Sequence, residues 1–175
     1  MVNVDEDLRS LLDRFNESRE KFKNEKENKE KRVSEFKNEF ELFATNKIKP
    51  IMIEYKKLLE NKNIGCDVEE KSASEYRDSY SSVTLRRDSD SSIALIVDYN
   101  TETSSRAAHK PQIRFYPKDE SIIVYEQKFE PSGGGSAGVE GSYEKERVTD
   151  DFIRSKIGDF LKEIFSKSWT EFDFY

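Results

Sequence analysis

Five of the seven glycines fall within PSGGGSAGVEG, Pro131 to Gly141, and a loop that rich in glycine is the first place where this chain could cradle a phosphate. Such a cradle requires a strand before it and a helix N-terminus after it, so that backbone N–H groups and the helix dipole converge on the anion. Here the following segment, SYEKERV, is short and strand-like, and no Lys-Ser or Lys-Thr succeeds the glycines. The spacing instead predicts a mobile hairpin loop carrying Gly133, Gly134, Gly135, Gly138 and Gly141, long enough to move over a neighbouring surface.

The remaining chemistry-bearing residues are scattered. RDSDSS, Arg87 to Ser92, opens like a calcium loop with Asp88 and Asp90, but Ile93 occupies the required glycine position and Tyr99 that of the bidentate glutamate, so a polar β-turn is expected. His109 is the single histidine, and spacing identifies no partner that would make it a general base or a metal ligand. An exposed loop residue is expected; the alternative is a set of anion contacts, Arg86, Arg106, His109 and Arg114, that would line a pocket if the fold brought them together. The lone cysteine, Cys66, excludes an intrachain disulfide and a thiolate metal cage. It follows a helix end rather than a helix start, so a structural thiol is expected, with no metal and no cofactor.

The elements that must carry these residues read as α+β. Asp5 to Lys62 contains no glycine, is rich in Glu, Lys, Leu and Arg, and begins with Asp5, Glu6 and Asp7 where the helix dipole favours negative charge. Leu8, Phe15, Phe22, Phe36 and Phe43 recur at heptad spacing, with Leu11, Leu12, Val33 and Phe40 beside that row. KNEKENKEKR, Lys23 to Arg32, offers no apolar residue, so that stretch has no face to bury. Two arrangements are compatible with this pattern: a single helix of about 45 residues, near 70 Å long at about 1.5 Å per residue, or a helical hairpin turning within Asn24 to Lys31. The absence of Gly and Pro from the polar stretch favours the single helix.

Pro50 predicts a kink or break and the start of a second helix striped by Ile51, Met52, Tyr55, Leu58 and Leu59. That places an extended, coiled-coil-like helix over 1–49 and a single α+β domain over 50–175. Beyond Gly65, strands are expected at SYSSVTLRR, SSIALIVDYN, PQIRFYPK, ESIIVYEQKF and, as an edge strand, GSYEKERV. They form an antiparallel meander of about four to six strands. Ile93 to Val97 and Ile122 to Tyr125 are apolar on both faces. An amphipathic helix over Asp150 to Lys167, capped by Thr149, would cover one face of the sheet, and the Pro50 helix or a second chain the other. Trp169, Phe172 and Phe174 read as a last strand or packed tail.

Composition narrows the function class. A net charge of −6 argues against nucleic acid, whose binding draws on clustered Lys and Arg. Residues 1–62 hold 15 basic and 14 acidic side chains and residues 63–175 hold 15 and 22, so the acidity belongs to the C-terminal part. No run approaches the roughly 20 apolar residues of a membrane span, and the plain expectation is a cytoplasmic protein. The sequence therefore points to a non-enzymatic, adaptor-type interaction protein that meets a protein partner, or itself as a homodimer, through Leu8, Leu11, Leu12, Phe15 and Phe22. The rival expectation is a small-ligand-binding or enzymatic domain in which the loop 131–141 acts as a lid near Arg86, His109 and Arg114.

Overall fold

A computed structural model describes residues 4–72, 74–75, 88–89, 91–98, 110–129 and 135–168. The N-terminal sequence forms one unbroken helix, α1 (Val4–Phe43), with no turn within residues 24–31, so the hairpin alternative does not hold. Pairs four residues apart, Lys26 with Glu30 at 3.9 Å and Lys31 with Glu35 at 4.0 Å, support the solvated middle by a few tenths of a kcal/mol each.

Helical structure continues past Phe43 through a π-helical turn, Ala44–Ile48, into α2 (Lys49–Glu60). Pro50 has no N–H to give and its ring crowds the carbonyl four residues back, so an α-helical ladder does not run undisturbed through this point. The wider turn absorbs the conflict, with the Lys49 N–H donating to the Ala44 carbonyl five residues back. It also sets the packing. Phe40, Ala44, Ile48 and Met52 are spaced by four, which drifts around an α-helix, and the π turn counters the drift so that all four stay buried. The chain divides into two compact units, Met1–Glu35 and Phe36–Tyr175. Proline marks a change of helical register here and not the edge of the core.

In the second unit, α2 ends with Asn63 in the left-handed region at φ 60°, and the Ile64 N–H returns to the Leu59 carbonyl at 3.0 Å. The strands are β1 (Gly65–Lys71), β2 (Ser74–Glu75), β3 (Asp88–Ser89), β4 (Ser92–Asp98), β5 (Gln112–Lys118), β6 (Ser121–Phe129) and β7 (Gly135–Tyr143). Five of them make an antiparallel sheet in the order β1-β4-β5-β6-β7, while β2 and β3 pair separately. The β5–β6 hairpin closes with Lys118 opposite Ser121 and Asp119 at φ 53°, the conformation a two-residue turn of this hand demands. After β7 a 3-10 turn, Lys145–Arg147, replaces the rest of the expected edge strand over GSYEKERV. The last helix, α3 (Asp150–Ser168), is capped as expected, the Thr149 hydroxyl accepting from the Phe152 N–H at 3.3 Å. The expected strand over Ser79 to Arg87 and the aromatic tail from Trp169 lie outside the described residues.

Alternation along the strands sorts the two faces of the sheet. Ile93, Leu95 and Val97 of β4, Ile113 and Phe115 of β5, and Ile122 and Val124 of β6 form one cluster with Ile51, Met52 and Leu59 of α2 and Ile153, Ile157 and Phe160 of α3. Both helices thus pack on the same face, which corrects the expectation for the Pro50 helix, one of the two occupants expected for the opposite face. A hydrogen bond from the Tyr55 hydroxyl to the Arg154 carbonyl at 3.0 Å and an ion pair between Glu54 and Arg154 at 2.6 Å tie α2 to α3.

Candidate functional site

The N-terminal stripe is the first site to place. Leu8, Leu11, Leu12, Phe15 and Phe22 are between 52% and 71% exposed, although each is large and apolar. Further along α1 the same spacing behaves differently, with Phe36 and Phe43 half-buried and Phe40 buried against the core. The stripe is therefore a face that nothing among the described residues covers.

Arg114 is the one member of the expected anion set among the described residues; Arg86, Arg106 and His109 lie outside them. Its guanidinium donates to Ser92 Oγ at 2.9 Å, Glu69 Oε2 at 3.1 Å and Gln112 Oε1 at 2.9 Å. Gln112 in turn donates to Gln127 at 2.9 Å. The result is a polar ladder across β1, β4, β5 and β6 on the face opposite the helices, in which Arg114 is a cross-strand tie.

The glycine-rich segment is strand where it is described. Gly135, Gly138 and Gly141 pair along β6 from Phe129 to Val124, which corrects the loop expectation for residues 135–141; Gly133 and Gly134 lie outside the described residues. Glycine was read as a turn signal, but here cross-strand pairing overrides that local preference. The pairing slips between Val124 and Tyr125, leaving Glu140 as the extra residue of a bulge. Gly141 leaves room at this bulge for the Tyr143 ring, which a Cβ there would force to move.

The bulge turns Glu140 toward α3. Its carboxylate accepts from Lys156 Nζ at 2.5 Å and from the Tyr143 hydroxyl at 2.8 Å. Lys156 also lies over the Tyr143 and Phe152 rings, 5.4 and 5.5 Å from their centroids. Burial alone would raise the Glu140 pKa, but the bonds from Lys156 and Tyr143 outweigh it and hold the carboxyl below its ordinary 4.5. Lys156 moves the opposite way, raised above 10.5 because its bonds to Glu140 and Tyr143 exceed the cost of burial. This cluster fastens the edge strand to α3. A second tie, Lys128 with Glu126 at 2.7 Å and with Glu163 of α3, fastens the neighbouring strand.

One feature had no signal in the sequence. A cavity of about 140 Å³ lies among Phe40, Ala44 and Thr45 on the helical side and Glu70, Ser72, Ser91 and Ser92 on the strand side. Ser91 is 3% exposed, and its hydroxyl has no hydrogen-bond partner among the described residues. At the rim, Glu70 accepts from Thr45 at 2.9 Å and Lys49 at 2.6 Å, which lowers its pKa. Ser91 belongs to a serine-rich turn signal, and only the approach of the helix makes it interior.

Cys66 is half-buried against the core, and burial pushes its thiol up to about 12, so it is protonated and unreactive near neutrality. Among the described residues no three His, Cys, Asp or Glu side chains gather as a metal site; Asp88 lies in β3, and Asp90 is outside the described residues. No helix among the described residues is long and apolar enough to cross a membrane. Comparison with protein-family models, with curated proteins and with solved structures gives no match.

Proposed function

We propose that this chain is a non-enzymatic cytoplasmic interaction protein, of adaptor type, that associates with itself or with a protein partner through the coiled-coil-like first helix. The observation that carries this reading is the exposure of Leu8, Leu11, Leu12, Phe15 and Phe22 along α1. Covering a Leu or Phe side chain is worth roughly 1.5–3 kcal/mol relative to leaving it in water, so five of them on one stripe form a surface that rewards association. Mixed charge on the rest of the helix keeps it solvated, as Lys26–Glu30 and Lys31–Glu35 do.

The test is photocrosslinking in living cells with a reactive residue introduced at Phe15 or Phe22, and at Glu27, which lies outside the stripe, as a control. Adducts specific to the two stripe positions are expected, either with another protein or with the chain itself. Equal labelling at all three positions would sink the reading.

A further inference from the structure

We propose that the occupant of the α1 stripe is a second copy of this chain, paired antiparallel; the proposal rests on the interaction reading above and names its partner. The argument is electrostatic. From Val4 to Asp13 the sequence holds four acidic residues and one basic, and from Arg14 to Arg32 eight basic and five acidic. Both segments lie on one unbroken helix, so the stripe begins among negative charges and ends among positive ones.

Heptad geometry converts this gradient into a preference of orientation. With Leu8, Phe15 and Phe22 at the first core position and Leu11 at the second, Asp7, Arg14 and Lys21 flank one side of the seam, and Asp5, Leu12, Arg19 and Lys26 flank the other. In a parallel pair each side meets the opposite side of its partner, which sets Arg14 against Arg19 and Lys21 against Lys26, all like charges. In an antiparallel pair each side meets itself. Centred on Asp13, that pairing sets Asp7 against Lys21, Asp5 against Arg19, Arg14 against Arg14 and Leu12 against Leu12, while Leu11 packs on Phe15. Of the six flanking contacts within the overlap, four are then opposite in sign, one is apolar, and the self-contact of Arg14 is like-charged. A stripe that is its own complement under a two-fold axis is what an isologous contact between identical chains requires.

The experiment uses the full chain. Light scattering across a wide concentration series should show the 20.5 kDa species giving way to one of twice that mass. Arg19→Glu with Lys21→Glu should weaken the dimer about tenfold or more in Kd, and adding Asp5→Arg with Asp7→Arg to the same chain should restore it. A parallel dimer would instead be tightened by the first pair, since each substituted position would then meet a basic residue, Arg14 or Lys26. A spin label at Lys26→Cys, in a Cys66→Ala background, should give an inter-label distance of about 40 Å in the antiparallel pair, from an offset of 26 residues at about 1.5 Å each. In a parallel pair the two labels would lie within about 15 Å.

A dimer with the short distance that the first pair of substitutions does not weaken overturns the antiparallel pairing and leaves the interaction reading standing. A chain that stays monomeric at every concentration, yet still crosslinks at Phe15, overturns the second copy as occupant. Loss of stripe-specific crosslinks removes the reading on which the proposal rests.

Discussion

Phe15 and Phe40 belong to the same helix, Phe15 in its heptad row and Phe40 beside that row, yet Phe15 is 64% exposed and Phe40 1%. In the unit Phe36–Tyr175, the row meets a sheet and two helices, and Phe40, Ala44, Ile48 and Met52 close over Ile93, Leu95 and Phe115. In the unit Met1–Glu35, the row meets nothing that the described residues supply. The difference teaches that helical periodicity records which face of a helix is apolar, while burial depends on what arrives opposite that face. A stripe that is covered within the chain is core; one that is left open is a surface for another molecule.

The comparison is broken or sharpened most strongly by truncating the two phenylalanines. Phe40→Ala should cost about 3–5 kcal/mol in denaturant unfolding, whereas Phe15→Ala should change the stability of the monomer by no more than about 0.5 kcal/mol. Similar losses at both positions would mean that α1 is buried along its whole length.

Next in size is the polar ladder. Arg114→Ala leaves Glu69, Gln112 and Ser92 without their shared donor and should destabilise by about 1–2 kcal/mol. A variant of unchanged stability would free Arg114 from its structural role and revive it as an anion contact.

The Glu140–Lys156 tie should contribute about 1 kcal/mol at neutral pH, read as the loss in Glu140→Gln. Because the Glu140 pKa is lowered on folding, its contribution is complete above 4.5 and disappears as pH falls through the folded-state value. Lys156 is raised, so the same pair also loses its contribution as pH climbs beyond 10.5. Wild-type stability should therefore fall more steeply below pH 4.5 than that of Glu140→Gln; parallel acid limbs would show that the pair is not formed in solution.

Ser91→Ala removes a buried hydroxyl that no described residue pairs and should stabilise by up to about 1 kcal/mol. Destabilisation would instead mean that the hydroxyl is bonded in solution, which would make the cavity beside Thr45 and Glu70 a polar binding site.

The smallest effect is expected from beginning the chain at Val33. Its midpoint of thermal unfolding should move by less than about 2 °C, because the core begins at Phe36. A truncated chain that fails to fold would erase the distinction between the two units.

Much of this architecture was legible before any coordinates, for identifiable reasons. The absence of Gly and Pro from Asp5 to Lys49 and the heptad row of Phe and Leu specify α1, and Thr149 ahead of Phe152, Ile153 and Ile157 specifies α3. Asp119, between two runs of alternating or continuous apolar residues, marks the β5–β6 hairpin. These are local signals, carried by neighbours within a few residues. β1 escaped sequence reading because Val68 is almost its only apolar residue, and an edge strand needs little more than a partner backbone. Ser91 escaped as well, because a buried serine differs from a turn serine only in what packs above it.

By itself, then, the sequence determined where helices run, which faces are apolar, and that five large side chains of α1 form a continuous stripe. Tertiary structure alone decided that the chain passes Pro50 through a π turn instead of breaking, that α2 and α3 share one face of the sheet, and that Gly135–Tyr143 is a strand. The reason is range. Backbone propensity and periodicity act between residues close in sequence, whereas register, face selection and burial are set by contacts between elements far apart in it, and where the two disagreed, cross-strand hydrogen bonds and core packing prevailed.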